Sequence, residues 1–480
     1  MTPDEFRALG AQMVERIARY MEEVDGLPVT PTTRPGDVAA LLPDAPPESP
    51  EAWDDVFADV ERVVMPHVTH WQHPGFFGFF PCNATGPSIL ADMLSTGLGV
   101  QGMLWSTSPA ATEIEWKVLD WLAQCIGLPE CFRLTGGAPG PKGVIQGTAS
   151  EALLACLIAA RERARHSAGA ESLDPSRCAV YASAEAHSSM LKAALLLGLP
   201  RENLRLIGVD GALRMRADAL ERAIGADRAA GVTPLLVCAT LGTTSSGAVD
   251  PLPALGAVAQ REGVWLHVDA AYAGAALVCP EHRWMIEGAA RADSFNFNPH
   301  KWLLTSFDCS ALWLRDPLAL RNAMSVTPEY LRNEASDSGR VVDYRDWQIP
   351  LGRRFRSLKL WFTLRHYGVS GLRAHIEEHV RSAEVFESLV RADDRFEVAA
   401  PRSLSLVCFR LRGGDDRTRE LHRRVNATRE VFLTHTTLPP DGEPEGARRY
   451  VLRMAIGAVR TREGHVRGAW DVIRREAEGL

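Results

Sequence analysis

A lysine amine condenses with an aldehyde most readily where burial or neighbouring charge lowers its pKa. Lys301 stands in the string Asn296-Phe297-Asn298-Pro299-His300-Lys301-Trp302, preceded by Phe295 and followed by Leu303 and Leu304. Most lone lysines are solvated surface charges, but this aromatic and aliphatic setting makes a poor solvent face. Asp269 closes the apolar run Trp265-Leu266-His267-Val268 and is followed by the small residues Ala270, Ala271, Ala273 and Gly274 around Tyr272. A carboxylate at a strand end can hold a proton on the ring nitrogen of a heterocyclic cofactor; it can equally cap a helix.

Three further strings add to these two. Gly147-Thr148-Ala149-Ser150-Glu151 fits the capping-box pattern T-x-x-E, and a helix N-terminus among small residues suits a phosphate. Ala186-His187-Ser188-Ser189 offers an imidazole to a flat ring, or simply a packed histidine. Ala239 to Gly247 opens an apolar run into a hydroxyl-rich turn containing Thr244. Each string is weak alone. In chain order they read phosphate cup, stacking histidine, hydroxyl turn, acid and lysine, which together make a complete site for pyridoxal 5'-phosphate.

The elements that must position these residues alternate between short apolar segments and helical ones. Gly143–Gln146, Cys178–Ala182, Leu235–Thr240, Trp265–Asp269 and Ala311–Leu314 read as strands, with helices at Ser150–His166 and Pro253–Glu262 between them. This pattern predicts a mostly parallel central sheet covered by helices on both faces. Residues 3–23 form an amphipathic helix cut off by the Pro-rich stretch Pro28–Pro50, so its apolar stripe needs another surface, and a partner subunit is the candidate. Residues 325–345 read as a long polar loop with few anchors. Helix is expected from Arg356 to Tyr367, then a smaller C-terminal α/β unit with a strand at Ser405–Arg410.

The 480 residues carry a net charge of -7, with 24% charged and 46% hydrophobic residues. This balance predicts no nucleic-acid partner. No apolar run reaches membrane-spanning length, and the N-terminus lacks a signal core. The nine cysteines show no CxxC pair and no zinc spacing, so no metal is expected; an odd count of thiols in apolar runs favours a reducing, cytoplasmic setting.

Seven strings carry a resemblance over nearly the whole chain: HWQHPGFFGFFP (70–81), GVIQGTASEA (143–152), AHSS (186–189), ATLGTT (239–244), WLHVDAAYAG (265–274), ADSFNFNPHKWLL (292–304) and DWQIPLGRRFRSLKLWF (346–362). The chain resembles the aromatic-L-amino-acid decarboxylases, group II enzymes dependent on pyridoxal phosphate. The resemblance implies the aspartate-aminotransferase-like fold type I, with an N-terminal helical arm (1–84) packed on a partner subunit, a large cofactor-binding domain (85–360) and a small C-terminal domain (361–480). It implies a Schiff base on Lys301, with Asp269 at the pyridine nitrogen and His187 stacked on the ring. Thr148, Ala149, Ser150 and Asn298 would surround the phosphate, with Thr244, Asp250 and His300 nearby. Tyr330, on the polar loop, would bring the proton to Cα. The substrate pocket would comprise Trp71, Phe79, Phe80, Pro81, Cys82 and Gly352, with Gln101 and Met103 reaching in from the second subunit of a homodimer.

The reaction so implied is loss of CO2 from an aromatic L-amino acid to leave the amine. Aldehyde synthesis and histidine decarboxylation are the alternatives. Tyrosine at 330, where aldehyde synthases often carry phenylalanine, favours plain decarboxylation. Phe79 and Cys82 replace hydroxyl-bearing residues of animal relatives, and Gly352 leaves room for an indole, so tryptophan or phenylalanine is favoured over DOPA.

Overall fold

Seven short apolar segments pair into one sheet: β1 (Gly143–Gln146), β2 (Cys178–Ser183), β3 (Leu204–Ile207), β4 (Thr233–Thr240), β5 (Trp265–Asp269), β6 (Ser294–Phe297) and β7 (Ser310–Leu314). The computed structural model in which they are seen describes residues 1–134, 140–326, 331, 334–337, 341–440 and 446–480. The strand order is β1-β7-β6-β5-β4-β2-β3; β6, β5, β4, β2 and β3 run parallel, and β7 is antiparallel to both of its neighbours.

The five sheet strands read from the sequence are present, their ends shifted by at most two residues. Two strands had not been read. β3 is a four-residue edge strand whose Leu206 faces solvent, and β6 alternates Ser294 and Asn296 with Phe295 and Phe297, all buried. The sheet is buried on both faces, as a parallel sheet needs to be. Alternate residues divide between two cores: Tyr181, Val237, Ala239, Leu266, Val268 and Phe295 pack on one side, Val180, Ala182, Leu236, Cys238 and Leu312 on the other. The helix Ala149–Ser167 covers the second face and Leu252–Arg261 the first.

A helix from Ser357 to Arg391, broken at Gly368, leads to a second sheet of β8 (Phe396–Val398), β9 (Leu406–Leu411), β10 (Thr434–Leu438) and β11 (Arg449–Ala455). It is antiparallel in the order β10-β11-β9-β8. Phe77, well upstream in the chain, joins its core: Phe77 N donates to Phe432 O at 2.9 Å, and Ala455 N donates to Phe77 O at 3.1 Å.

Two helices carry uncovered apolar stripes. The helix Pro3–Glu23 buries no residue and exposes Phe6, Met13 and Val14; the helix Gly86–Leu98 exposes Leu90, Met93, Leu94 and Leu98. The polar stretch expected at 325–345 is better anchored than its composition implied at its C-terminal end, where Asp343, Tyr344 and Arg345 are buried and Tyr344 packs with Trp347. Among the described residues, no helix is long and apolar enough to cross a membrane.

Candidate active site

The parallel strands all end on one side, and their C-terminal ends open into a cavity of about 220 Å³. Its walls come from turns after four strands: Thr148, Ala149 and Ser150 after β1, His187 and Ser189 after β2, Gly242 and Thr244 after β4, and Asn298, His300 and Lys301 after β6. Asp269, at the end of β5, and Phe80 complete the candidates brought together here. Strand ends in a parallel sheet are where such folds place ligands.

Thr148 caps the helix Ala149–Ser167, its Oγ1 accepting from Glu151 N at 3.4 Å. The Glu151 carboxylate reaches past Thr148 to accept from Gly147 N at 2.9 Å, one residue beyond the usual capping box. The first turn of this 19-residue helix therefore faces the cavity with backbone N–H groups that no helical carbonyl can satisfy. Asn298 Oδ1 and Thr240 Oγ1, both buried on cavity residues, have no hydrogen-bond partner among the described residues. The donor-and-acceptor set, one flanking carboxylate and one amine fit pyridoxal phosphate.

Burial lowers the Lys301 amine below the ordinary lysine value; Asp269 opposes this and Arg453 reinforces it. The amine lies 5.4 Å from the Phe80 ring centroid. Burial likewise lowers His187, whose Nδ1 accepts from Ser189 N at 3.1 Å. His300 is pushed down to about 3, by burial first and then by the Lys301 charge. Its Nδ1 accepts from Cys309 N at 2.9 Å, so the neutral ring carries its proton on Nε2.

Phe80 stacks on Tyr272 at 3.9 Å between centroids, and Tyr272 stacks on Trp302 at 5.0 Å. Tyr272 was not singled out from the sequence. Its hydroxyl contacts Ser405 Oγ at 2.6 Å, leaving the ring as a flat apolar wall. Ser189, Thr240, Gly242 and Ala271 also line the cavity without having been singled out. Gly242 has φ +81°, and a Cβ there would lie 2.9 Å from Ala273 Cβ, so no side chain fits.

Asp250, expected in the network around the cofactor, stands behind the cavity wall and does not line it. Its carboxyl oxygens accept from Thr240 N at 2.8 Å and Met215 N at 2.7 Å, which holds the end of β4. Burial outweighs these donors and raises its pKa to about 7. Trp71 and Phe79 stack on each other at 5.6 Å outside the cavity, both exposed. Pro81 packs against Gly457, and Cys82 O accepts from Gln72 Nε2 at 2.6 Å. Gln101, Met103 and Gly352 form a separate group: Gln101 Oε1 accepts from Arg353 N at 2.9 Å, and Met103 O accepts from Arg345 N at 3.1 Å. Tyr330 lies outside the described residues.

Comparison with known proteins agrees with this geometry. The pyridoxal-dependent decarboxylase conserved domain matches residues 35–412. The chain is 47% identical to phenylacetaldehyde synthase of Arabidopsis thaliana, covering 100% of this chain and 97% of that protein. It is 45% identical to the aromatic-L-amino-acid decarboxylase of Rattus norvegicus, covering 100% and 99%. Among solved structures, the Oryza sativa TDC determined with PLP and tryptamine superposes with a TM-score of 0.95 at 42% identity, covering 99% of this chain and 98% of that one.

Proposed function

From the premise that the chain belongs to the pyridoxal-dependent decarboxylases, we propose that it removes the α-carboxyl group of an aromatic L-amino acid and releases the arylalkylamine and CO2. It is a carboxy-lyase, and its cofactor is pyridoxal 5'-phosphate. The observation that carries the substrate class is the stacked wall of Phe80 on Tyr272 beside the Lys301 amine. A planar aromatic side chain gains most from such a wall.

Lys301 is assigned to the covalent bond with the cofactor, and Asp269 to its ring nitrogen. His187 is assigned to its ring face, and Thr148, Ala149, Ser150 and Asn298 to its phosphate, with Thr244 at its rim. When bound, the cofactor supplies an electron sink for the pair released as the Cα–carboxylate bond breaks. Asp269, 8% exposed and held by Ala271 N at 3.0 Å, presents its carboxyl group at one end of the cavity. His300 offers a neutral Nε2–H donor that does not compete for protons near pH 7. Tyr330 is assigned to deliver the proton to Cα, closing the reaction as the amine rather than the aldehyde. That assignment separates this reading from the aldehyde-synthase one, which the likeness to phenylacetaldehyde synthase keeps as the alternative.

The working unit in this reading is a homodimer. The exposed stripes on Pro3–Glu23 and Gly86–Leu98, with residues 1–84 as the packing arm, supply apolar surface for a second copy. Gln101 and Met103 lie off the Lys301 cavity, as residues that complete a partner's pocket would, and Gly352 lies beside Gln101. Trp71, Phe79, Pro81 and Cys82 are assigned to the side-chain end of the pocket, 85–360 to the cofactor domain and 361–480 to the small domain. All nine cysteines are unpaired, which supports a cytoplasmic setting.

The test is a panel of tryptophan, phenylalanine, tyrosine, DOPA and histidine, read as CO2 and amine. Borohydride treatment should leave a phosphopyridoxyl group on the Lys301 peptide. Amine from aromatic substrates with the label on Lys301 supports the proposal; an unlabelled Lys301, or retained carboxylate in the product, overturns it.

A further inference from the structure

The walls of the cavity are loops, and three of them are held from outside by the same pair of strands. On β10, Thr434 and Thr436 share one face at a spacing of two. Thr434 Oγ1 accepts from Phe79 N at 3.1 Å, and Arg453, its register partner on β11, donates from Nη1 to Phe79 O at 3.1 Å. Together they fix the segment that carries Phe80. Thr436 Oγ1 donates to Ser245 Oγ at 2.9 Å, next to Thr244.

The third contact is the strongest. Glu185 is buried, two residues before His187, and accepts a forked ion pair from Arg448, at the entrance to β11: Nη1 to Oε1 at 2.7 Å and Nη2 to Oε2 at 3.1 Å. Arg448 is anchored in turn on β10, donating from Nη2 to Thr437 O at 2.6 Å and from Nε to Thr437 Oγ1 at 3.1 Å. The guanidinium therefore ties the β2 loop to the β10–β11 pair through four hydrogen bonds. Within its own loop His187 is held by Ser189 N on its Nδ1 and by Met190 N on its carbonyl.

We propose that the β10–β11 pair is a brace for the cofactor site and that Arg448 is a positioning residue for His187, acting through Glu185. This rests on the reading of the cavity as the pyridoxal phosphate site. Arg448 touches neither cofactor nor substrate; it sets the height and tilt of the loop that presents the imidazole to the ring. A surface ion pair at this distance from the chemistry would contribute little. Here the carboxylate is buried, so loss of its partner favours a shift of the His187 loop that brings Glu185 towards water.

The test compares Arg448→Ala, Arg448→Lys, Glu185→Gln and the Glu185→Gln/Arg448→Ala pair, in the full-length protein. Pyridoxal phosphate binding to the apoprotein is read by fluorescence quenching, and ring placement by the visible circular dichroism of the bound cofactor. Arg448→Ala should raise the half-saturating cofactor concentration roughly tenfold to a hundredfold, the range for partners that orient a ligand-holding side chain. It should also diminish the dichroic band. Arg448→Lys should recover part of both, because a point charge still meets Glu185. The double variant should be no worse than Arg448→Ala alone, since the two residues act as one unit. Parent-like affinity and dichroism in Arg448→Ala, or additive losses in the double variant, overturn the brace while leaving the decarboxylase reading intact. Should Arg448→Ala not fold, Arg448→Lys and Glu185→Gln decide by the same two readouts. A parent protein that binds no pyridoxal phosphate refutes the reading on which the brace rests, and the brace with it.

Discussion

Replacing His267 by asparagine removes one proton from the acid unfolding of this protein. His267 lies two residues before Asp269, fully buried, and burial pushes it down to about 4 from an ordinary 6.5. Ser294 Oγ accepts the Trp265 indole N–H at 2.8 Å and has its own proton left for His267 Nδ1 at 2.9 Å. Asparagine keeps an acceptor for that proton but cannot titrate. His300 and His379, both buried, are held at about 3 and about 4 by the same cause. All three are bases with depressed folded pKa values. Their stabilisation is complete above 6.5 and is lost as pH falls towards 4. Asp250 acts in the opposite sense. Raised from 3.8 to about 7, it keeps its proton in the fold and loses it on unfolding, so it adds stability as pH falls from 7 to 3.8. His375, lowered well below 6.5 by burial, adds to the same side, so uptake outweighs the one proton released by Asp250 and stability falls as pH drops from 6.5 towards 4. The assay is proton uptake on mixing apoprotein into urea in weak buffer with an indicator dye. At pH 5.5 an unfolded imidazole holds about 0.9 proton and folded His267 almost none, so His267→Asn should take up about 0.9 proton fewer than the parent. At pH 8 the two should match. Equal uptake at pH 5.5 would mean that His267 is charged or solvated in the fold, and the dry wall behind Asp269 would not exist.

Tyr330→Phe should lower amine and raise aldehyde, ammonia and peroxide; amine alone at the parental rate removes Tyr330 from the proton step. Asp269→Asn should keep the Lys301 adduct yet lower kcat roughly a hundredfold or more, the scale for removing one preorganised charge; an unchanged kcat argues against its pairing with the ring nitrogen. Gly352→Ser, beside Gln101, should lower kcat/KM for tryptophan relative to tyrosine roughly tenfold, and an unmoved ratio takes Gly352 out of the pocket. Gly274→Ala would put a Cβ 2.3 Å from Phe297 Cβ, so the apoprotein should lose about 1–3 kcal/mol, read as a fall in thermal midpoint; an unchanged midpoint refutes that packing.

How much of this was legible in the sequence depended on whether local pattern and local role coincided. Lys301, Asp269, Thr148 and Ser150 sit at the ends of apolar runs, and a strand end in a parallel sheet is already a functional position, so type and place could be read together. Asp250 has the same local look, an acid after a turn. Only the fold reveals that both its oxygens are occupied by the N–H groups of Thr240 and Met215, one of them from a segment 35 residues away. Tyr272 was missed for the converse reason. Among small residues it resembles a core aromatic, and its role as a wall depends on Ser405 taking its hydroxyl and Phe80 taking its face, neither visible from its neighbours in the chain.

The strands β10 and β11 show the limit most clearly. Their Thr434, Thr436 and Arg453 look like the polar half of any half-buried strand, and Arg448 precedes β11 without a periodic pattern. Their importance lies in what they reach: Phe79, Ser245 and Glu185, residues 191 to 374 positions away. A side chain that touches the reacting atoms must have the right chemistry, which sequence displays. A side chain that holds another in place needs only the right position, and position is a property of the folded chain. Residues of the second kind are therefore best sought where a buried charge, such as Glu185, finds a partner across a boundary between two sheets.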